Sequence, residues 1–212
     1  MKITALKPQL RDKNRVNVYI DGVYSFSLDL TQVLDLGLRT NSEYSPEEIE
    51  RIQIESGFGK LYARTLEYVL MRPRSIHEVS QYLYRKQRPM RTKTGGMKAG
   101  YPAETAERVL ERVLTKGYLD DAKFAAYWVE NRRLKKGASV RLLRSELRSK
   151  GVESAIIDAA LAESPRDERE ELRKTIERKS SRYSDKQKFM QYLVRQGFSY
   201  GDVAEELSTW GD

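Results

Sequence analysis

Three stretches of this chain carry the same amphipathic pattern, and their recurrence restricts the fold more than any other feature of the sequence. Laying residues 75–86 over 139–150 and 185–196 brings Val79, Leu143 and Phe189 into register, and Leu83, Leu147 and Leu193 four residues later. Apolar residues four apart share one face of an α-helix. Each stretch opens on Ser or Asp, whose side-chain oxygen accepts a backbone N–H that the first helical turn leaves unpaired. The second and third stretches stop at Gly151-Val152 and Gly197-Phe198. A glycine in the left-handed conformation, followed by an apolar residue that packs back, ends a helix in this way.

A helical segment precedes each stretch, at 61–71, 121–134 and 168–182, and another follows, at 103–116, 154–162 and 200–208. The pattern predicts three tandem three-helix repeats at 59–117, 119–163 and 167–208. Units that stack only on their neighbours are expected to form an elongated array. The first repeat is interrupted by 87–101, a basic insertion with Pro89, Gly95, Gly96 and Gly100, which reads as a flexible loop. The N-terminus differs. Residues 16–20 and 23–28 alternate as strands, and the Asp21-Gly22 between them is a strong hairpin signal. Residues 2–10 offer a third strand, and 29–36 a short helix stopped at Gly37. Ser45-Pro46-Glu47-Glu48 then reads as a capping box with proline at the first helical position. Residues 1–56 thus form an expected α+β cap containing a β-hairpin, on a fold that is otherwise mainly α.

The net charge is +8 at neutral pH, which favours an anionic partner, nucleic acid first, through counterion release and steering. The charge is also segregated. Between Glu78 and Glu104 there is no acidic residue, while Arg85, Lys86, Arg88, Arg91, Lys93 and Lys98 fall there. Arg132, Arg133, Lys135, Lys136, Arg141, Arg144, Arg148 and Lys150 follow against the single Glu146. Residues 153–171 then hold seven carboxylates against Arg166 and Arg169. Such blocks place basic and acidic surfaces on one molecule, which suits a partner that is itself a protein–DNA complex. The chain has no cysteine, so it holds no disulfide, thiolate metal site or cysteine nucleophile. No apolar run approaches the roughly 20 residues that cross a bilayer. The start of the chain lacks the apolar stretch of a signal peptide. A cytoplasmic protein without a membrane partner is expected.

The run Lys116-Gly117-Tyr118-Leu119-Asp120-Asp121-Ala122-Lys123-Phe124-Ala125 is followed by Trp128-Val129, Arg132, Lys136-Gly137, Leu143, Glu146-Leu147 and Lys150-Gly151-Val152. Without a gap, this succession resembles the signature of the RecX family. The first and third repeats look like the outer repeats of that family, and the hairpin start is similar to its longer members. The 87–101 insertion departs from the usual pattern. The resemblance implies a monomeric, non-enzymatic regulator of homologous recombination, DNA repair and the SOS response. Such a regulator docks along the groove of the RecA recombinase filament on single-stranded DNA, hindering ATP turnover, filament extension and strand exchange. No cofactor or metal is implied. Duplex DNA is a further expected partner, and a general DNA-binding helical repeat protein indifferent to the recombinase is the alternative.

Most signature residues also read structurally. Asp120 is placed to cap the helix carrying Phe124, and Asp121 to meet the positive end of its dipole. Gly117 and Gly151 read as helix stops, Gly137 as a further structural position of the motif, and Leu147 as core. Phe124, Tyr127 and Trp128 share one stripe, read as core rather than as a base-stacking platform. His77 reads as an exposed helix residue. The cations are different. Arg141, Arg144 and Arg148 repeat the spacing of the Val140, Leu143 and Leu147 stripe beside it. With Arg132, Arg133, Lys135 and Lys136 they form the candidate contact surface for phosphates or carboxylates. A solvated face is the plainer reading. Arg88, Arg91, Lys93 and Lys98 are secondary candidates. No catalytic or metal-ligating set emerges: there is no glycine-rich phosphate loop, paired histidine or activated nucleophile.

Overall fold

The structure is a computed structural model that describes residues 1–10, 12–92, 95–135 and 137–208, the side chains of 133–135 excepted. It is mostly helical with a small N-terminal antiparallel sheet. The strands β1 (Ile3–Pro8), β2 (Arg15–Ile20) and β3 (Val23–Asp29) lie in chain order. The β2–β3 turn takes positive φ at both Asp21 and Gly22, as a two-residue hairpin of this twist requires. Helix α1 (Leu30–Asp35) is capped by Asp29, with Gln32 answering from the third position. Helix α2 (Pro46–Leu70) starts at the Ser45–Glu48 capping box. Ile49 and Ile52 of α2 close over Ile3, Val18, Phe26 and Leu28 of the sheet.

Helix α2 does not stop where the sequence suggests. The cap was expected to end at 56 and the first repeat to begin at 59, yet the helix runs through Gly57 and Gly59 for 25 residues. A crossing side chain explains the glycine at 59. The Gln32 amide donates to the Glu55 carbonyl at 2.5 Å, and a Cβ on Gly59 would lie 2.5 Å from Gln32 Oε1. Glycine here admits a neighbour, at a cost of roughly 1 kcal/mol in helix propensity relative to alanine.

Helix α3 (Ile76–Lys86) follows, and α4 (Ala103–Thr115) packs on α2. Between α3 and α4, where a loop was expected, the described residues pair as a short hairpin of β4 (Met90–Arg91) and β5 (Met97–Lys98). The Tyr101 N–H then donates to the Lys86 carbonyl at 3.0 Å. Beyond it, α5 (Asp121–Lys135), α6 (Val140–Ser149) and α7 (Ser154–Glu163) enclose Phe124, Ala125, Val129, Leu143, Leu147 and Ile157. Helices α8 (Glu168–Lys179), α9 (Lys186–Arg195) and α10 (Tyr200–Glu206) enclose Leu172, Phe189, Leu193, Val203 and Leu207. The chain divides into two compact units, Met1–Arg72 with Val79–Tyr118, and Pro73–Glu78 with Leu119–Asp212. Among the described residues no helix is long and apolar enough to cross a membrane.

Within the second unit one joint is built twice. The Ser75 hydroxyl accepts the Glu78 N–H and donates to the Lys150 carbonyl at 2.7 Å. The Ser139 hydroxyl accepts the Leu142 N–H and donates to the Gln196 carbonyl at 2.5 Å. Beside each serine a carboxylate from another helix accepts the next amide, Asp121 from Ile76 at 2.9 Å and Glu168 from Val140 at 3.1 Å. The serine positions coincide in the sequence register, as do Ile76 and Val140. A helix start is thereby sewn to a helix end, and each set satisfies polar groups that burial would otherwise penalise by about 1–3 kcal/mol.

Candidate functional site

Helix α6 sorts its side chains by angle. At 100° per residue, Leu143 and Leu147 point inward and are 1% and 0% exposed. Arg141, Arg144 and Arg148 form a row along one flank of that core stripe. Arg141 and Arg148 are exposed, and Arg144 is half-buried. Arg144 is ion-paired to Asp158 of α7. Among the described residues neither Arg141 nor Arg148 has a carboxylate partner. Gly197 approaches the Arg141 side chain closely, since a Cβ there would sit 2.8 Å from Arg141 Cβ. The row therefore joins two exposed arginines to a third that is ion-paired.

Arg132 does not join this row. Its guanidinium grips Glu146 with two bonds, Nε to Oε2 at 2.9 Å and a terminal nitrogen to Oε1 at 2.5 Å. Glu146 stands on the opposite flank of the α6 core stripe from the arginine row. The Trp128 indole N–H donates to the same Oε2 at 2.8 Å. Arg132 and the Lys150 ammonium lie over the Trp128 ring at 5.2 and 5.3 Å. Trp128 is thus half-buried, packed against the core and tilted on Phe124 at 5.8 Å. Bidentate pairs of this kind fix geometry, so Arg132 is a positioning element of the bundle. A cleft of about 230 Å³ opens beside it, lined by Leu142, Glu146, Tyr192 and Phe198 among others.

The remaining candidates are scattered. Lys136, Lys93 and the side chains of Arg133 and Lys135 lie outside the described residues. Arg88, Arg91 and Lys98 are exposed in the first compact unit, with Arg88 over the Tyr84 ring at 5.0 Å. Gly117, Gly137 and Gly151 all take positive φ. Phe124 is 1% exposed and Leu147 fully buried. Asp120 caps α5, accepting from the Ala122 and Lys123 amides at 2.9 and 3.0 Å. These donors, the Lys123 amide foremost, hold its carboxyl below the usual aspartate range. Asp121 does something the sequence did not reveal. It reaches across to the first amide of α3, and burial raises its carboxyl above the usual range. Glu146, the acidic exception in a basic run, was the available signal for the Arg132 pair.

The chain was compared with known families, proteins and structures. A family model described as the RecX N-terminal domain matches residues 1–44. Another, described as the second three-helix domain of RecX, matches 120–161 and so contains the whole arginine row. The regulatory protein RecX of Bacillus licheniformis is 31% identical over 212 residues, covering 97% of this chain and 76% of that protein. That of Bacillus subtilis is 30% identical over 97% of this chain and 75% of its own length. A shorter match, 49% identical over 65 residues, is to the regulatory protein RecX of Mycobacterium ulcerans, spanning 31% of this chain and 38% of that one. A crystal structure of a regulatory protein RecX superposes with a TM-score of 0.69 at 26% identity, covering 96% of this chain and 97% of the other. The signature over 116–152, the mostly helical fold with its small N-terminal sheet, and relatives matched over 97% of this chain agree: this chain belongs to the RecX family of regulatory proteins.

Proposed function

We propose that this chain binds the RecA recombinase filament on single-stranded DNA and inhibits its ATPase, its extension and strand exchange, acting without catalysis of its own. The observation that carries this reading is the α6 row, where Arg141 and Arg148 stand exposed and, among the described residues, without a carboxylate partner, beside Arg144, which pairs with Asp158. A fixed row of guanidinium groups suits phosphates or carboxylates repeated along a filament. Repeats 59–117, 119–163 and 167–208 engaging neighbouring filament subunits add modest contacts through effective concentration. In this reading the protein works as a cytoplasmic monomer with no membrane partner.

The test is recombinase ATPase on single-stranded DNA, titrated with the parent and with the Arg141→Ala, Arg144→Ala, Arg148→Ala variant. A direct DNA-binding titration runs beside it. Inhibition is expected to weaken at least tenfold, which takes only ~1.4 kcal/mol in total. A folded triple variant that inhibits like the parent removes the row as the site. Inhibition that simply tracks DNA coating by the parent favours a general DNA-binding protein.

A further inference from the structure

The first compact unit carries a cationic strip whose members form no ion pair among the described residues; Glu67 stands near its Tyr82 end. The foundation of the strip is helix α2. Ser56, Lys60, Arg64 and Tyr68 recur every four residues and so stand on one side of the helix, about 6 Å apart along its axis. Ser56 is buried and donates to the Ser27 carbonyl at 2.8 Å. Arg15 of β2 donates to the same carbonyl and to the Ser27 hydroxyl, each at 3.1 Å. That shared acceptor sets the Arg15 guanidinium at the sheet end of the row. At the other end Tyr68 stacks on Tyr82 of α3, ring centroids 4.3 Å apart and 9° from parallel. Lys86, one turn on from Tyr82, holds its ammonium 4.9 Å above the Tyr82 ring. Lys98 enters from the β4–β5 hairpin, whose return is anchored by the Tyr101-to-Lys86 backbone bond.

None of the ion pairs among the described residues involves Arg15, Lys60, Arg64, Lys86 or Lys98. The field at Lys60 has one sign. Burial, then Arg15, Lys98 and Arg64 in turn, hold its ammonium below the usual lysine range, and no carboxylate opposes them. A monomer gains nothing from gathering like charges on a half-buried lysine, because each added cation repels the others. A polyanion laid along the strip reverses that balance and releases its own counterions.

We infer that this strip, Arg15, Lys60, Arg64, Lys86 and Lys98, is a second binding surface, which takes the phosphate backbone of a nucleic acid strand. Lys60 and Arg64 lie one turn apart on α2, with Arg15 tied in at the Ser56 end and Lys86 at the Tyr68 end, an extended arrangement that suits contact with a chain of phosphates. Tyr82 is already engaged by the Tyr68 ring and the Lys86 ammonium, so the aromatic pair serves the strip as a floor and not as a reader of bases. The inference does not depend on the recombinase and uses no residue of the α6 row.

The experiment measures fluorescence anisotropy of labelled oligothymidine and of a mixed-sequence oligonucleotide, single-stranded and duplex, with the full chain and no recombinase. The Lys60→Gln, Arg64→Gln, Lys98→Gln variant is expected to bind the single strands at least tenfold more weakly at low salt. Its slope of log affinity against log salt should fall by about 2, roughly 0.7 for each lost phosphate contact. The two sequences should bind alike. Should the triple glutamine variant unfold, Arg64→Gln and Lys98→Gln, both at exposed positions, are read singly, each lowering the slope by about 0.7. Unchanged affinity and slope in the folded variants overturn the inference. So does poly-glutamate displacing the oligonucleotide at equal charge, which assigns the strip to an acidic polypeptide. Because bare oligonucleotide is the probe here and ATPase the probe for the filament, either proposal can fail alone.

Discussion

The Ser139 hydroxyl donates to the Gln196 carbonyl at 2.5 Å while accepting the Leu142 amide, so one side chain caps the start of α6 and holds the end of α9. Ser75 makes the same two bonds, to Glu78 and Lys150. Alanine at 139 leaves an amide and a carbonyl unpaired at a fully buried position. Ser139→Ala is expected to destabilise the protein by about 2 kcal/mol, adding lost capping to lost pairing. Urea denaturation followed by far-ultraviolet dichroism checks this, and a midpoint equal to the parent would show that the Ser139 hydroxyl contributes no stability.

Asp121 sets a pH dependence of unexpected sign. Burial raises its folded pKa above the unfolded value of about 3.9. The folded state therefore binds a proton that the unfolded state releases. The associated stability is fully present below the unfolded pKa and is lost as pH rises through the folded one. Asn at 121 keeps an oxygen for the Ile76 amide and cannot ionise. The stability of the parent relative to Asp121→Asn is expected to fall as pH is raised from 4 upward and then level off. Denaturation at a series of pH values measures this, and a difference that rises with pH contradicts it.

The Trp128–Glu146–Arg132 cluster separates a packing role from a base-stacking one. Trp128→Ala removes a half-buried ring and frees a paired carboxylate, and it is expected to cost on the order of 3 kcal/mol. Glu146→Ala, which orphans both Arg132 and the indole N–H, should cost about 1–3 kcal/mol. A Trp128→Ala protein that melts like the parent and has lost only DNA binding would reassign the ring to the ligand.

In the arginine row, stability and binding are expected to part company. Arg144→Ala gives up the partly exposed Asp158 pair, worth at most about 1 kcal/mol. Arg141→Ala and Arg148→Ala should each stay within about 0.5 kcal/mol of the parent. A thermal melt in which either of the latter two falls further would mean that its guanidinium is structural.

Glycine substitutions test close approach against backbone angle alone. Gly117 and Gly151 have φ of +72° and +74°, but an added Cβ meets open space at 117 and lies 2.5 Å from His77 Cβ at 151. Alanine should therefore cost about 1 kcal/mol at 117, from the left-handed angle. It should cost clearly more at 151, where α3 must shift. Equal losses on urea denaturation would remove contact with His77 as the reason for the glycine.

What the sequence revealed and what it concealed divide along physical lines. Periodicity exposed the helices from 103 onward because each buries one stripe, and local turn chemistry exposed the Asp21-Gly22 hairpin and the Ser45–Glu48 cap. Both signals lie within a few residues. The Gln32 side chain crossing Gly59, the Asp121 reach to Ile76 and the Arg132–Glu146 pair each link residues 14 to 45 positions apart, and no local pattern announces them. The arginine spacing was legible. That Arg132 faces the other flank was not, because it depends on how α5 packs against α6. Of the strip at Lys60 only Lys86 and Lys98 stood out as part of a basic block; their meeting with Arg15, Lys60 and Arg64 was hidden for the same reason, the members coming from β2, α2, α3 and the insertion hairpin.

The unbroken helix α2 bears on how this protein can be dissected by deletion. A chain started at residue 59 would begin in mid-helix, without the Ser45 hydroxyl and Glu48 carboxylate that close its first turn. The Ile49 and Ile52 layer would leave with the sheet. Lys60 and Arg64 would then stand in a frayed end, and the pairing of Arg108 with Glu55 at 2.7 Å would vanish from the α4 side. A truncation meant to ask what the N-terminal sheet contributes would instead report the loss of the helix beneath it. Point substitutions on the sheet's outer surface are the genetic tool that leaves α2 whole.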